Sequence, residues 1–234
     1  MPTRLVVSLS GIDRRSLEHC VSLAAELDLR RVPLSLLTTP LPAAEQSTVD
    51  WIRFRRSSGD AVVLNGFARG PVLVPTQRRA RPLMRKPSLP AHEAGLRLIA
   101  SVASFEARGL ATDCFAVLDE TMSLGTMTAL RRHSFAVCAD ANGVHDLKTG
   151  VHRRGRVHRI GRRGEFGVAW AARRAELVRI TADAADLASP ACRLALLDAV
   201  DTALRNGASA STYADVTAAS PQRASARGPQ CSPR

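Results

Sequence analysis

The strongest constraint on the fold is a repeated switch in apolar period. Arg4 to Leu9 (RLVVSL) is a short run rich in β-branched residues, and Ser16 to Leu29 then places Leu17, Cys20, Val21, Leu23, Ala24 and Leu27 on one helical stripe. The pattern predicts a strand followed by a helix. It returns at once: Val32 to Leu37 (VPLSLL) reads as a strand, Pro40 and Pro42 as punctuation, Thr48 to Arg56 as a short helix ended by Ser57-Ser58-Gly59, and Ala61 to Leu64 as a third strand. Two strand-helix rounds in about 60 residues leave crossovers long enough for parallel pairing, which points to an α/β protein with a parallel sheet or barrel.

Gly70 to Pro90 has five prolines and no period, so it reads as a long surface loop. A helix is expected from Ala91 through Glu106, with Ala94, Leu98, Val102 and Phe105 on one stripe and Gly109 beyond its end. Thr112 to Val117 and Phe135 to Cys138 read as strands around a helix over Ser123 to Arg131, which Ser123 is placed to cap. Arg156 to Ile160, Glu165 to Arg174 and Leu177 to Thr181 continue as strand, helix, strand, and Pro190 to Leu204 is a final helix closed by Asn206-Gly207. Residues 1–216 are read as one domain, and 217–234, biased to Ser, Pro, Arg and Ala, as a disordered tail.

Composition excludes several classes. No run approaches the roughly 18 apolar residues of a membrane span, and the apolar run in MPTRLVVSLSGIDRR is too short for a secretory signal, so the expected location is the cytoplasm. The five cysteines are scattered and lack CxxC spacing, which favours reduced, partly buried thiols over a zinc knuckle or disulfide framework. The net charge of +12 rests on 33 basic residues, of which only Lys86 and Lys148 are lysines, a bias that GC-rich coding also produces. Clusters at Arg53, Arg55 and Arg56, at Arg78 to Lys86, and at Arg153 to Arg163 (RRGRVHRIGRR) keep nucleic-acid binding open. With aromatics at 4%, stacking platforms for single strands are scarce.

Several phrases carry a family likeness. Ser8-Leu9-Ser10-Gly11-Ile12 after the first strand, VPLSLLTTP at Val32 to Pro40, and Val49-Asp50-Trp51-Ile52 leading to Gly59-Asp60-Ala61-Val62-Val63-Leu64-Asn65-Gly66-Phe67 are three of them. Together with the Phe115, Leu130 and Phe135 neighbourhood, they resemble the polysaccharide deacetylase superfamily, and more closely its DUF2334 branch, including actinobacterial members. The resemblance spans roughly residues 4 to 215. It implies a distorted (β/α) barrel of the glycoside hydrolase/deacetylase type with about seven parallel strands. It also implies a divalent metal such as zinc, held by one Asp and two His at the C-terminal strand ends, with a carboxylate base and a His acid for hydrolysis of a C–N bond.

Residue by residue, the likeness breaks where the chemistry lies. The first family motif ends the first strand with His-Asp or Asp-Asp, and here Ser10-Gly11 stand there, with Asp13 two positions later as either a displaced carboxylate or a helix N-terminal residue. The second motif, a His-rich phrase after the third strand, is matched by Asn65-Gly66-Phe67-Ala68-Arg69, which lacks both imidazoles and adds a cation. Asp119 and Glu120 follow Phe115 where the family carries an Arg-Pro phrase; they are an acid/base pair or a solvated turn. Arg179, in LVRIT, occupies the place of a late His. None of the six histidines pairs at i, i+4, and His92-Glu93 reads as a helix opening rather than a catalytic pair. GxSxG, Walker and GxGxxG signatures are also absent.

The sequence therefore reads as a deacetylase-like barrel that has lost or impaired its metal-dependent chemistry and needs no cofactor. Ser10, Asn65, Arg69 and Arg179 are its candidate ligand-binding residues, and Asp13, Asp119 and Glu120 its candidate acid/base residues. The ligand implied is a carbohydrate or another hydroxyl-rich or anionic small molecule. Two alternatives stay open: a working amide hydrolase using zinc on an altered constellation, and a basic nucleic-acid-binding protein.

Overall fold

The computed structural model describes residues 3–40, 45–67, 89–160 and 168–217. The chain runs β1 (Arg4–Ser10), α1 (Leu17–Leu29), β2 (Leu34–Thr38), α2 (Gln46–Ser57), β3 (Ala61–Asn65), α3 (Ala91–Glu106), β4 (Cys114–Ala116), α4 (Leu124–Arg132) and β5 (Val137–Ala139). It continues with β6 (Gly143–Asp146), β7 (His152–Arg154), β8 (Val157–Arg159), α5 (Val168–Arg174), β9 (Leu177–Asp183), a 3-10 turn at Ala184–Ala188, α6 (Pro190–Arg205) and β10 (Ser209–Ser211). Local chemistry sets the boundaries. The Ser123 hydroxyl accepts the Thr126 N–H at 3.1 Å to cap α4, and Pro190 opens α6 where a helix has no use for its missing N–H. The long loop expected over 70–90 falls almost wholly outside the described residues, as does the tail after Thr217.

The strands form one sheet in the order β7-β6-β5-β4-β3-β2-β1-β9-β8, with β10 added beside β1. Pairing is parallel from β8 through β5 and antiparallel from β5 to β6 to β7. The expectation of a barrel with about seven parallel strands is therefore corrected to a curled, mixed sheet. Turn chemistry is the reason. The Asp140 carboxylate accepts the N–H groups of Asn142 and Gly143 at 2.8 and 3.2 Å, reversing the chain too tightly for a crossover. Asp146 repeats the device with Lys148 and Thr149 at 2.9 and 2.8 Å, followed by Gly150 at φ +76°.

Strand alternation divides the sheet into two faces. Leu5, Val7, Leu9, Leu36, Phe115, Val178 and Ile180 pack against the helices, through residues such as Leu23, Ile52, Leu98 and Val200. The other face carries Val6, Leu37, Val63, Cys114, Ala139 and Leu177, and among the described residues it is packed by Tyr213 and Val216 from the chain after β10 rather than by a helix. Tyr213 is fully buried, and its N–H donates to the Ser35 hydroxyl at 3.0 Å.

The sheet curls until its two edges meet through the chain itself. β7 lies at one edge and β8 at the other, yet only Gly155 and Arg156 separate them in sequence. Three Cα steps span at most about 11 Å, so the edges are held close without a ladder between them. Gly155 donates its N–H to the Asn142 carbonyl at 3.1 Å, and a Cβ at this position would lie 2.5 Å from the Leu177 carbonyl oxygen. Glycine is what permits the approach. On the helix-bearing side, Arg55 joins α2 to the last turn of α1 and the start of β3: Nε meets Asp60 Oδ2 at 2.6 Å and Nη1 meets Asp28 Oδ2 at 2.6 Å, with the Arg55 and Asp60 side chains 5% and 2% exposed. Asp60 also accepts the Leu34 N–H at 2.8 Å, so this buried pair ties α2 to β2 and β3.

Candidate functional site

The strand ends gather a polar set on the helix-free face. On β1, Val6, Ser8 and Ser10 alternate onto that face, on β3 Ala61, Val63 and Asn65 do so, and on β9 Leu177, Arg179, Thr181 and Asp183. Ser10 and Asp183 are direct register partners, and the Ser10 hydroxyl lies 3.3 Å from Asp183 Oδ2. The other carboxylate oxygen, Oδ1, accepts the Ala185 N–H at 3.0 Å, which caps the 3-10 turn and fixes the carboxylate. Gly11 follows at φ +69°, and a Cβ on it would lie 2.6 Å from Asp183 Oδ1. Ser10-Gly11 at this end thus matches a neighbouring carboxylate that leaves no room for a side chain. Asn65, half-buried, ends β3, and Gly66 at φ +75° turns the chain away while donating its N–H to the Ala116 carbonyl at 3.0 Å.

The residues singled out from sequence are distributed unevenly. Ser10 and Asn65 share the face and end of the sheet. Asp13 turns instead to the start of α1, where Oδ1 accepts the Ser16 N–H at 2.9 Å and the Ser16 hydroxyl at 2.8 Å. The Ser16 bonds hold its carboxyl below the ordinary value. Asp119 is exposed and paired with Arg159 of β8, a contact that spans the gap between the β4 and β8 sides of the curled sheet. Glu120 is exposed, and its carbonyl accepts the Ala141 N–H at 3.2 Å. Arg69 lies outside the described residues.

Arg179 departs most from the expected placing. It is fully buried, so it does not join Ser10 and Asn65 at the strand ends. Nη1 donates to the carbonyls of Asp140 at 2.6 Å and Gly155 at 3.1 Å, Nε donates to the Tyr213 hydroxyl at 3.1 Å, and the guanidinium stands over the Tyr213 ring. A strand arginine surrounded by small inner-face residues has room to cross the interior, and its length lets it reach carbonyls on the far wall.

Asp183 lies two residues beyond the strand that the sequence predicts over Leu177 to Thr181. The alternation of LVRITAD continues to Asp183, and an Asp two residues before Ala185 is a turn-capping signal. Cys20 and Cys138 behave as structural residues: burial pushes Cys20 up to about 11 and Cys138 up to about 12, so neither is a ready nucleophile at neutral pH. The arginine-rich run is also partly committed within the fold, with Arg159 on Asp119 and Arg153 half-buried on β7.

The architecture is an α/β fold built on one curled, mixed sheet, and it is similar in fold to a solved deacetylase. A crystal structure of a peptidoglycan N-acetylglucosamine deacetylase, in complex with 4-naphthalen-1-yl-N-oxidanyl-benzamide, matches with a TM-score of 0.52 over 90% of this chain and 86% of that one. At 11% identity the likeness is one of fold. No protein-family model and no curated protein matches the chain. Among the described residues, no helix is long and apolar enough to cross a membrane.

The donor set at the strand ends does not fit the metal that such a fold implies. Ser10 and Asn65 offer neutral oxygens and Asp183 one carboxylate already holding a backbone N–H, whereas zinc favours imidazole, thiolate and carboxylate donors. The histidines sit elsewhere: His19 on α1, His92 on α3, His133 after α4, and His145, His152 and His158 on β6, β7 and β8. Among the described residues, no group of three or more His, Cys, Asp or Glu is arranged to hold a metal ion.

Proposed function

We propose that this protein is a degenerate member of the polysaccharide deacetylase superfamily that binds a hydroxyl-rich ligand at its strand ends without metal-dependent hydrolysis. Its placing in the DUF2334 branch rests on the sequence phrases at Ser8 to Ile12 and Gly59 to Phe67. The observation that carries the functional reading is the Ser10–Asp183 contact over Gly11. A carboxylate from β9 occupies the space in front of the β1 end, and the position where the family ligand stands has no side chain at all. A hydroxyl, a carboxylate and an amide on one face are suited to sugar hydroxyls, which both donate and accept. Asp183 favours a neutral, hydroxyl-rich ligand over an anionic one at this point.

The test is isothermal titration of the full chain with an N-acetylglucosamine oligosaccharide in excess chelator, alongside a product assay for released acetate. Binding that survives chelation, is weakened several-fold by Asn65→Ala or Asp183→Ala, and yields no acetate supports the reading. Chelator-sensitive acetate release at enzymatic rates contradicts it and restores the hydrolase alternative. Absence of binding to the oligosaccharide contradicts the ligand part.

A further inference from the structure

The basic run at Arg153 to Arg163 takes no part in the strand-end set, and the fold gives its first half a direction. Cys138 packs on the helix-bearing side, His145 of β6 is its register partner, and His152 of β7 is the partner of His145. On β8, His158 pairs with Ile180 of the same side. Gly155 points the other way, since a Cβ on it would meet Leu177 of the helix-free face. Alternation through the connecting chain therefore sets His152, Arg154, Arg156 and His158 on one side, in a row about 20 Å long with about 7 Å between neighbours.

The cations of the row are available. Arg154 and Arg156 are exposed, and among the described residues neither side chain has a hydrogen-bond or ion-pair partner. Asp140 and Asp146, beside the row, are engaged by the N–H groups of their own turns, and Asp140 Oδ2 lies 3.8 Å from His145 Nε2. Charged edge strands also guard a sheet against pairing with other chains, a role that needs charge but no ring geometry. His152 adds that geometry. Its ring lies parallel to that of His145, with centroids 4.0 Å apart and an interplanar angle of 1°. Gly143 leaves the space the ring fills, since a Cβ there would lie 2.7 Å from His152 Nε2. One ring face thus rests on His145, and because β7 is the edge strand, no described strand lies beyond the other.

A flat ring held in place beside a line of unpaired cations supplies both parts of a single-strand site, a platform for a base and a track for phosphates. We propose that the β7–β8 ribbon binds single-stranded nucleic acid, with Arg154 and Arg156 on neighbouring phosphates and one base stacked on His152. A duplex is disfavoured, because its bases are already stacked on one another and cannot reach the ring face. The surface is separate from Ser10, Asn65 and Asp183 and does not depend on the proposed carbohydrate function.

The test is fluorescence anisotropy of the full chain with three labelled probes of equal length: oligothymidine, an abasic deoxyribose-phosphate chain, and a DNA duplex. Oligothymidine is expected to bind most tightly, with log affinity falling against log salt at a slope of about −1.4 for two phosphates. Arg154→Gln combined with Arg156→Gln is expected to remove most of that slope. Arg15→Gln combined with Arg205→Gln takes the same charge from exposed positions before α1 and at the end of α6, and is expected to change affinity by less than about twofold. His152→Ala is expected to weaken oligothymidine by about fivefold or more and to leave the abasic chain unchanged, and His152→Phe to restore the loss. Circular dichroism checks the fold of each variant. Absence of oligothymidine binding at about 50 mM salt would overturn the proposal. So would equal losses in the two arginine pairs, a duplex bound as tightly as the single strand, or a His152→Ala variant that keeps full affinity or weakens the abasic chain equally.

Discussion

Arg179 on β9 donates at 2.6 Å to the carbonyl of Asp140, the residue that follows β5, and so joins parts of the sheet whose strands lie five steps apart. The same side chain reaches the Gly155 carbonyl and the Tyr213 hydroxyl, so one guanidinium fastens the seam between the two sheet edges and the segment that packs the inner face. Arg179→Met leaves two buried carbonyls without this donor and is expected to destabilise the protein by about 2–4 kcal/mol. Arg179→Lys, unable to span all three acceptors, is expected to fall between. Denaturant unfolding monitored by far-ultraviolet circular dichroism measures this, and a loss under about 0.5 kcal/mol for Arg179→Met would show that the seam does not depend on it.

Gly11 and Asp183 are expected to be energetically coupled. Gly11→Ala meets a left-handed backbone and a carboxylate 2.6 Å from the new Cβ, and is expected to cost about 2 kcal/mol or more. Asp183→Ala removes the steric part but not the backbone strain, so Gly11→Ala should cost less in that background. A double-mutant cycle with a coupling of at least about 1 kcal/mol is expected, and additive losses would mean the two side chains are not in contact in solution.

Arg55→Met is expected to cost about 3–5 kcal/mol, because it leaves Asp60 buried without its cation. Adding Asp60→Asn should recover a large part, since the remaining group is then neutral. Chemical denaturation of the single and double variants measures this directly, and a double variant no more stable than Arg55→Met would refute the charge-based explanation.

Stability should fall in two stages on acidification. Burial, and for His145 the stacked His152 ring with centroids 4.0 Å apart, pushes the His145 and His158 imidazoles below their ordinary value. A depressed histidine is neutral in the fold and titrates earlier in the unfolded chain. Its contribution is complete above about pH 6.5 and is lost as pH falls toward the lower folded value. The Asp13, Asp28 and Asp146 carboxyls are also held below their ordinary value, so their contributions are lost at lower pH, below about pH 4. Urea midpoints across this range should show both stages, and His145→Gln should flatten the first. A midpoint unchanged from about pH 7 to pH 5 would contradict the histidine part.

The parallel half of the fold was legible in the sequence because its strands are short β-branched runs between amphipathic helices. Ala91–Glu106 follows the expected boundaries for α3, and Ser123 caps α4 as its position suggested. The antiparallel hairpin was not legible by apolar period, since β6 and β7 are filled by His145, Asp146, His152, Arg153 and Arg154; only the turn chemistry at Asp140 and Asp146 marks it. Ser10 and Asn65 could be placed at strand ends because each closes a clear apolar run. The interior course of Arg179 depends on the opposite wall of a curled sheet, which no local pattern encodes, and Asp183 lies two residues past the apolar run that marks the last strand.

Equilibrium dialysis of the purified full chain against micromolar zinc, with bound metal counted by atomic emission, addresses the loss of the metal site most directly. A stoichiometry below about 0.1 per chain, unchanged in Asp183→Ala, is the expected result for strand ends built from Ser10, Asn65 and one committed carboxylate. One zinc per chain, lost in the Asp183→Ala or Asn65→Ala variant, would contradict it.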